Sequence, residues 1–295
     1  MMKAVLFPGQ GSQKVGMAQE HYDNGGVVRE LFDRANNQLG YSITDIMFNG
    51  PSEKLMETRY TQPAIFLHSV ALFQLLDLKP DAVAGHSLGE FSALVSAGVI
   101  DLESGMDLVS LRGELMQNAG TEFPGSMAAI IGMDDADVEE ICKKASAEVE
   151  KPVVCANYNS PGQLVISGDV EAVKRAVEIA KEQGCRLAKM LPVSGAFHSP
   201  LMAPALQGLK AKLDTITFSE PPIPVYSNVT AQGSTDPDLL KENVISQLTN
   251  PVRWTQTLQN MHEKGMTHYT EVGPGQVLQG LTKRTLKQAI IQGYE

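Results

Sequence analysis

Apolar residues in this chain follow two rhythms, short runs and stripes at helical spacing. Lys3 to Phe7 reads as a strand, with the run Ala4-Val5-Leu6-Phe7 ending at Pro8 in the loop Pro8-Gly9-Gln10-Gly11-Ser12-Gln13. From Ala64 to Leu78, Ile65, Leu67, Val70, Leu72, Phe73 and Leu76 recur at the spacing of a buried helix. Asp81-Ala82-Val83-Ala84 predicts a second short strand. Gly85-His86-Ser87-Leu88-Gly89 follows it, and then Phe91, Leu94 and Val95 mark one side of another helix. The local order is strand, glycine-bounded turn, helix.

The pattern changes over residues 124–191. Ser126 to Met133 predicts a strand and Asp135 to Ala147 a helix. Val153 to Tyr158 and Gln163 to Ser167 predict two strands around the turn Asn159-Ser160-Pro161-Gly162. Val170 to Gln183 predicts a helix stopped by Gly184, and Arg186 to Leu191 a last strand. The order β-α-β-β-α-β is that of a ferredoxin-like α+β unit, here inserted into a larger domain formed by 1–123 and 192–295. In the second half of that larger domain, Asn250-Pro251 predicts an N-cap and first helical position for a helix running toward Lys264 and Gly265. Thr267 to Val272 predicts a strand, and Gly273-Pro274-Gly275 leads into a final helix with Leu278 and Leu281. Strands alternating with helices outside the insert indicate α/β layering with a mainly parallel sheet.

Composition narrows the class. The 295 residues are 43% hydrophobic and 20% charged, ordinary for a globular protein. The formal charge of −10 argues against nucleic-acid binding, which needs a basic surface. Cys142, Cys155 and Cys185 are too few and too scattered for a disulfide framework or a zinc site, and fit free thiols in a reducing compartment. The N-terminal apolar run is too short for a signal peptide, and no stretch approaches the roughly 20 apolar residues of a membrane span. A cytoplasmic, monomeric protein is expected.

The candidate chemistry centres on Ser87. A serine on a sharp strand-to-helix turn exposes its hydroxyl, and the flanking glycines let the chain turn, as in an α/β-hydrolase-like domain. The alternative is a plain helix N-cap serine. Among six histidines, His198, in the loop Gly195-Ala196-Phe197-His198-Ser199-Pro200, is the best candidate base. His86 adjoins the serine and should point away from it. His68 reads as a satisfied core residue, while His21, His262 and His268 have no distinguishing company.

Arg112 is the anomaly. It sits in a stripe of Gly105, Leu108, Val109, Leu115, Met116 and Ala119 on a helix expected from Ser104 to Asn118. It either pairs with an Asp or Glu, snorkels to water, or clamps a substrate carboxylate. Gly9-Gln10-Gly11 is not a phosphate loop, because no Lys-Ser or Lys-Thr follows and Lys14 stands where a dinucleotide fingerprint has its third glycine. No metal-ligand spacing is visible.

With these residues in hand, the chain resembles, over essentially its whole length, the malonyl-CoA:acyl-carrier-protein transacylases of fatty acid and polyketide synthesis. The resemblance rests on Gly9-Gln10-Gly11-Ser12-Gln13, Gly85-His86-Ser87-Leu88-Gly89-Glu90, Arg112, Gly195-Ala196-Phe197-His198, and Gln247 before Asn250-Pro251. It implies that Ser87 attacks the malonyl thioester with His198 as base, and that the amides of Gln10 and Leu88 form an oxyanion hole. It further implies that Arg112 binds the malonyl carboxylate, that Gln247 orients His198 through its backbone carbonyl, and that Phe197 favours malonyl over methylmalonyl. An acyl carrier protein would be the partner, malonyl-CoA a substrate, and no cofactor would be consumed. The rivals are an acyl hydrolase, a catalytically silent carrier-docking protein, and a trans-acting acyltransferase of a polyketide synthase. Lys181, Arg186 and Lys189, or Lys283, Arg284 and Lys287, offer local basic patches for an acidic carrier, or are ordinary solvated surface.

Overall fold

The computed structural model describes residues 1–193 and 195–295. Ten strands occur along it: β1 (Met2–Phe7), β2 (Ala82–Gly85), β3 (Gly125–Ile131), β4 (Val153–Ser160), β5 (Gln163–Asp169), β6 (Leu187–Met190), β7 (Val225–Tyr226), β8 (Gly233–Ser234), β9 (Met266–Val272) and β10 (Ile290–Tyr294). They form two sheets. The first has the order β10-β9-β1-β2-β7-β8, parallel throughout except for the short antiparallel edge strand β8. Its central strands are buried on both faces, as the unbroken apolar runs of β1 and β2 require in a sheet covered by helices on each side. The helices Thr58–Leu76 and Leu102–Glu122 belong to the main core, while Trp254 and Leu258 help fill a second core on β1, β2 and β9.

The second sheet, of order β4-β5-β3-β6, is antiparallel and carries the helices Asp135–Val149 and Val170–Glu182. The expected element order β-α-β-β-α-β is present, and these helices and strands bury a core of their own around Ile130, Ile141, Leu164 and Ile166. The hairpin turn is tighter than the sequence predicts, because β4 extends through Ser160.

The segment 250–253 departs from expectation. Instead of starting a helix at Pro251, it runs extended beside β4: Val252 N–H donates to Ala156 O at 2.8 Å, and Tyr158 N–H donates to Val252 O at 2.9 Å. With both backbone groups of Val252 committed to a strand, the helix starts only at Trp254 and ends at Glu263. This short bridge ties the small sheet to the second core of the large domain, where the Val252 side chain is buried. No helix among the described residues is long and apolar enough to cross a membrane.

Candidate active site

The loops that follow β1 and β2, neighbouring parallel strands, meet at the carboxyl edge of the sheet, where open α/β sheets place ligands. His86 N–H donates to Phe7 O at 3.0 Å, and a β-carbon on Gly9 would lie 2.4 Å from His86 O. The turn tolerates no side chain at either flanking glycine. A β-carbon on Gly85 would come within 1.8 Å of the Gly89 backbone, and one on Gly89 within 2.1 Å of Phe7 O. Ser87 itself has φ +53°, a left-handed conformation costing a non-glycine residue about 1–3 kcal/mol and held by its surroundings. Its N–H donates to Asn228 Oδ1 at 2.7 Å, and Asn228 Nδ2 donates to Gly85 O at 2.7 Å. The elbow is therefore braced from the loop after β7.

His198 also has positive φ, +57°, and is buried. Its Nε2 lies 2.7 Å from Ser87 Oγ, while its Nδ1 faces two backbone carbonyls, Gln247 O at 3.0 Å and Asn250 O at 3.2 Å. Carbonyls only accept, so the ring proton belongs on Nδ1, and the Nε2 lone pair faces the serine hydroxyl. Burial, with Arg112 close by, pushes the imidazole pKa down to about 3, so the ring is neutral at physiological pH. Among the described residues no acid completes a triad; two carbonyls hold the ring.

Arg112 lies within the helix Leu102–Glu122 and is fully buried. Its Nη1 donates to Gln62 Oε1 at 2.6 Å, and its Nη2 to Gln247 Oε1 at 3.0 Å and to Ser87 Oγ at 3.1 Å. Its Nε has no partner among the described residues, and the guanidinium sits over the Phe91 ring at 5.4 Å. Among the described residues neither expected alternative, a protein ion pair or snorkelling to water, is found: the partners of the guanidinium are two side-chain amides and the Ser87 hydroxyl. Burial pulls its pKa down to about 10, leaving it charged, and Glu90 opposes that shift. In the expected stripe, Leu115 is only half buried; it packs toward Gly208 instead.

The Ser87 hydroxyl opens into a cleft of ≈ 300 Å³ between the two sheets. Gln10, Gln62, Met116 and Phe197 line it on one side, and Met127, Asn157, Asn159 and Val165 on the other. Leu88 stands at the N-cap of the helix Gly89–Ser96, whose amide end bears partial positive charge. Gln10 uses its side chain locally: Nε2 donates to Thr58 Oγ1 at 3.3 Å, and Oε1 accepts from Gln62 at 3.4 Å. His86 turns away from the serine and meets Asn159 Oδ1 at 2.8 Å. His68 is buried as expected but not satisfied, since neither ring nitrogen has a partner among the described residues. Among those residues, too, no group of three or more His, Cys, Asp or Glu could hold a metal.

Ser87, His198, Gln10 and Phe197 thus line one cleft, with Leu88 buried next to the serine and Arg112 and Gln247 buried behind it, hydrogen-bonded to Ser87. Sequence reasoning missed Gln62 and Asn228. Gln62 lies in the helical turn just before the apolar stripe from Ala64, in a helix that begins at Thr58. Asn228 lies in a loop after a two-residue strand too short to show a period. Nothing local announces either one.

The site has counterparts in known proteins. The model of the acyl transferase domain family matches residues 5–294. The malonyl CoA-acyl carrier protein transacylase of Escherichia coli K12 is 46% identical over 286 residues, covering 95% of this chain and 92% of that protein. Its namesake from Staphylococcus aureus MRSA252 is 42% identical over 296 residues, covering 99% and 96%. Among solved structures, the malonyl CoA-acyl carrier protein transacylase of Coxiella burnetii superposes with a TM-score of 0.96 at 40% identity, covering 99% of this chain and 93% of that one. A malonyl-transacylase in complex with its type II polyketide synthase acyl carrier protein gives 0.94 at 41% identity, covering 99% and 95%. With a family model spanning nearly every residue and relatives above 40% identity end to end, this chain belongs to the acyl transferase domain family.

Proposed function

We propose that this acyltransferase moves malonyl from malonyl-CoA to the phosphopantetheine thiol of an acyl carrier protein through a malonyl ester on Ser87. Ser87 Oγ attacks the thioester carbonyl as His198 Nε2 takes its proton. The oxyanion that forms is held by the backbone N–H groups of Gln10 and Leu88. Collapse expels the coenzyme A thiolate, which receives the proton from His198. The carrier thiol then repeats the sequence in reverse: His198 removes its proton, the thiolate attacks the ester, and Ser87 leaves with the proton returned. Arg112 binds the malonyl carboxylate through both steps, and Phe197 limits the space beside the acyl group. Gln247 orients His198 through its carbonyl. No cofactor is consumed.

The observation that carries this reading is a serine hydroxyl 2.7 Å from a neutral imidazole and 3.1 Å from a buried guanidinium that, among the described residues, has no carboxylate bound to it. A simple esterase has no need of that arginine. The same reading takes residues 1–123 and 192–295 as an α/β-hydrolase-like catalytic domain and 124–191 as a ferredoxin-like insert forming the far wall of the cleft, in a cytoplasmic enzyme. Intact-protein mass spectrometry after mixing with malonyl-CoA tests it. A malonyl adduct on the wild type and none on Ser87→Ala is expected; no adduct, or one that persists in Ser87→Ala, sinks the proposal.

A further inference from the structure

Beneath the elbow lies a carboxyl that the two-step transfer does not use. Glu90, in the first turn of the helix Gly89–Ser96, is completely buried. Its Oε2 accepts from Gln247 Nε2 at 2.7 Å and from Asn228 N–H at 3.2 Å. Gln247 Nε2 also donates to Ser87 O at 2.9 Å, and Gln247 Oε1 accepts from Arg112 Nη2 at 3.0 Å. Gln247 Nε2 also lies 3.5 Å from Asn228 Oδ1. Turned over, this amide would set its oxygen against these three acceptors and its NH2 group against a guanidinium. It has one favourable orientation, and Glu90 supplies the shortest of the three contacts that select it.

The geometry points to Glu90 as a positioning residue for substrate choice: its carboxyl fixes the Gln247 amide with the oxygen toward Arg112, and so aims the guanidinium at the carboxylate of the acyl group. The inference rests on the malonyl-transfer reading above. Its physical logic is one of spacing. A carboxylate bonded directly to Arg112 would compete with the substrate for the same N–H groups. Held one amide away, it fixes that amide without taking an N–H group of Arg112 for itself. Burial lifts the Glu90 carboxyl to about 7, and Oε2 accepts from the amide in either protonation state.

The test is the ratio of kcat/KM for malonyl-CoA to that for acetyl-CoA, measured for the wild type, Glu90→Ala and Glu90→Gln, and for Glu90→Ala combined with Gln247→Leu. Losing a hydrogen bond to a charged group predicts about a tenfold fall in the ratio for Glu90→Ala. Glu90→Gln should restore it to within about threefold, because the glutamine oxygen accepts from the same donors. In the Gln247→Leu background, where no amide remains to orient, Glu90→Ala should leave the ratio where Gln247→Leu put it. A ratio untouched by Glu90→Ala, or an equal fall in the Gln247→Leu background, overturns the role, since a purely structural residue moves both substrates alike. If Glu90→Ala does not fold, Glu90→Asp withdraws the carboxyl by one methylene and is read in the same way. A wild type that forms no adduct on Ser87 overturns the transfer reading along with this one; an unchanged ratio in a protein that does form it overturns only the role of Glu90.

Discussion

Arg112→Ala should separate acyl groups by charge. In the resting site the guanidinium spends Nη1 on Gln62 and Nη2 on Gln247 and Ser87, and it is closed to water. A malonyl carboxylate entering this setting trades its hydration for charge-assisted hydrogen bonds. Removing one partner of such a buried pair costs about 3–5 kcal/mol. Taking about 3–4 kcal/mol and about 1.4 kcal/mol per factor of ten, kcat/KM for malonyl-CoA should fall by roughly 10²–10³. Acetyl-CoA brings no carboxylate and meets a buried charge that disfavours it, so its kcat/KM should fall by no more than about tenfold, or rise. The assay is transfer to a carrier protein with each thioester, on variants shown to be folded by circular dichroism. Arg112→Met serves as a second variant that fills more of the space. Equal losses for both thioesters would show that the arginine acts on the fold and not on the acyl group.

Three further outcomes follow from the same geometry. Because burial holds the His198 pKa at about 3, the base stays neutral, and kcat/KM for acylation should be level from about pH 5 to 8; an acid limb with its midpoint near 6.5 would contradict the buried neutral ring. His68→Leu should raise stability by about 1–2 kcal/mol at pH 7, since both ring nitrogens are buried without partners among the described residues, and should leave transfer unchanged. The His68 pKa is about 3 folded against 6.5 unfolded, so the unfolded chain binds the extra proton, and the wild type loses stability as pH falls below 6.5, by up to about 1.4 kcal/mol per pH unit. The advantage of the leucine variant should widen at pH 5; equal urea-denaturation gaps at pH 7 and 5 would contradict this. Gly85→Ala should cost about 4 kcal/mol or more, because its methyl meets backbone at 1.8 Å; a melting temperature close to that of the wild type would show that the turn can open.

The elbow was legible because its constraints are local: two glycines four residues apart, each pressed against backbone, between an apolar strand and an apolar helix. The helices and strands of residues 124–191 were legible because each buries one face of a separate core and so keeps its period. Asn250-Pro251 misled, since a capping signal worth about 1 kcal/mol gave way to two backbone hydrogen bonds with β4. The strand β10 left no signal, because its residues are mostly exposed.

Arg112 is the most instructive case. An arginine in an apolar stripe announces that something must answer its charge, but not what. The stripe read alike for a structural ion pair and for a substrate clamp, because the answer lies 50 residues upstream in Gln62 and 135 residues downstream in Gln247. Both are amides, and the carboxyl of Glu90 stands behind the second. Neutral acceptors hold the guanidinium in place without neutralising it, which is the condition that the proposed binding of a substrate carboxylate requires.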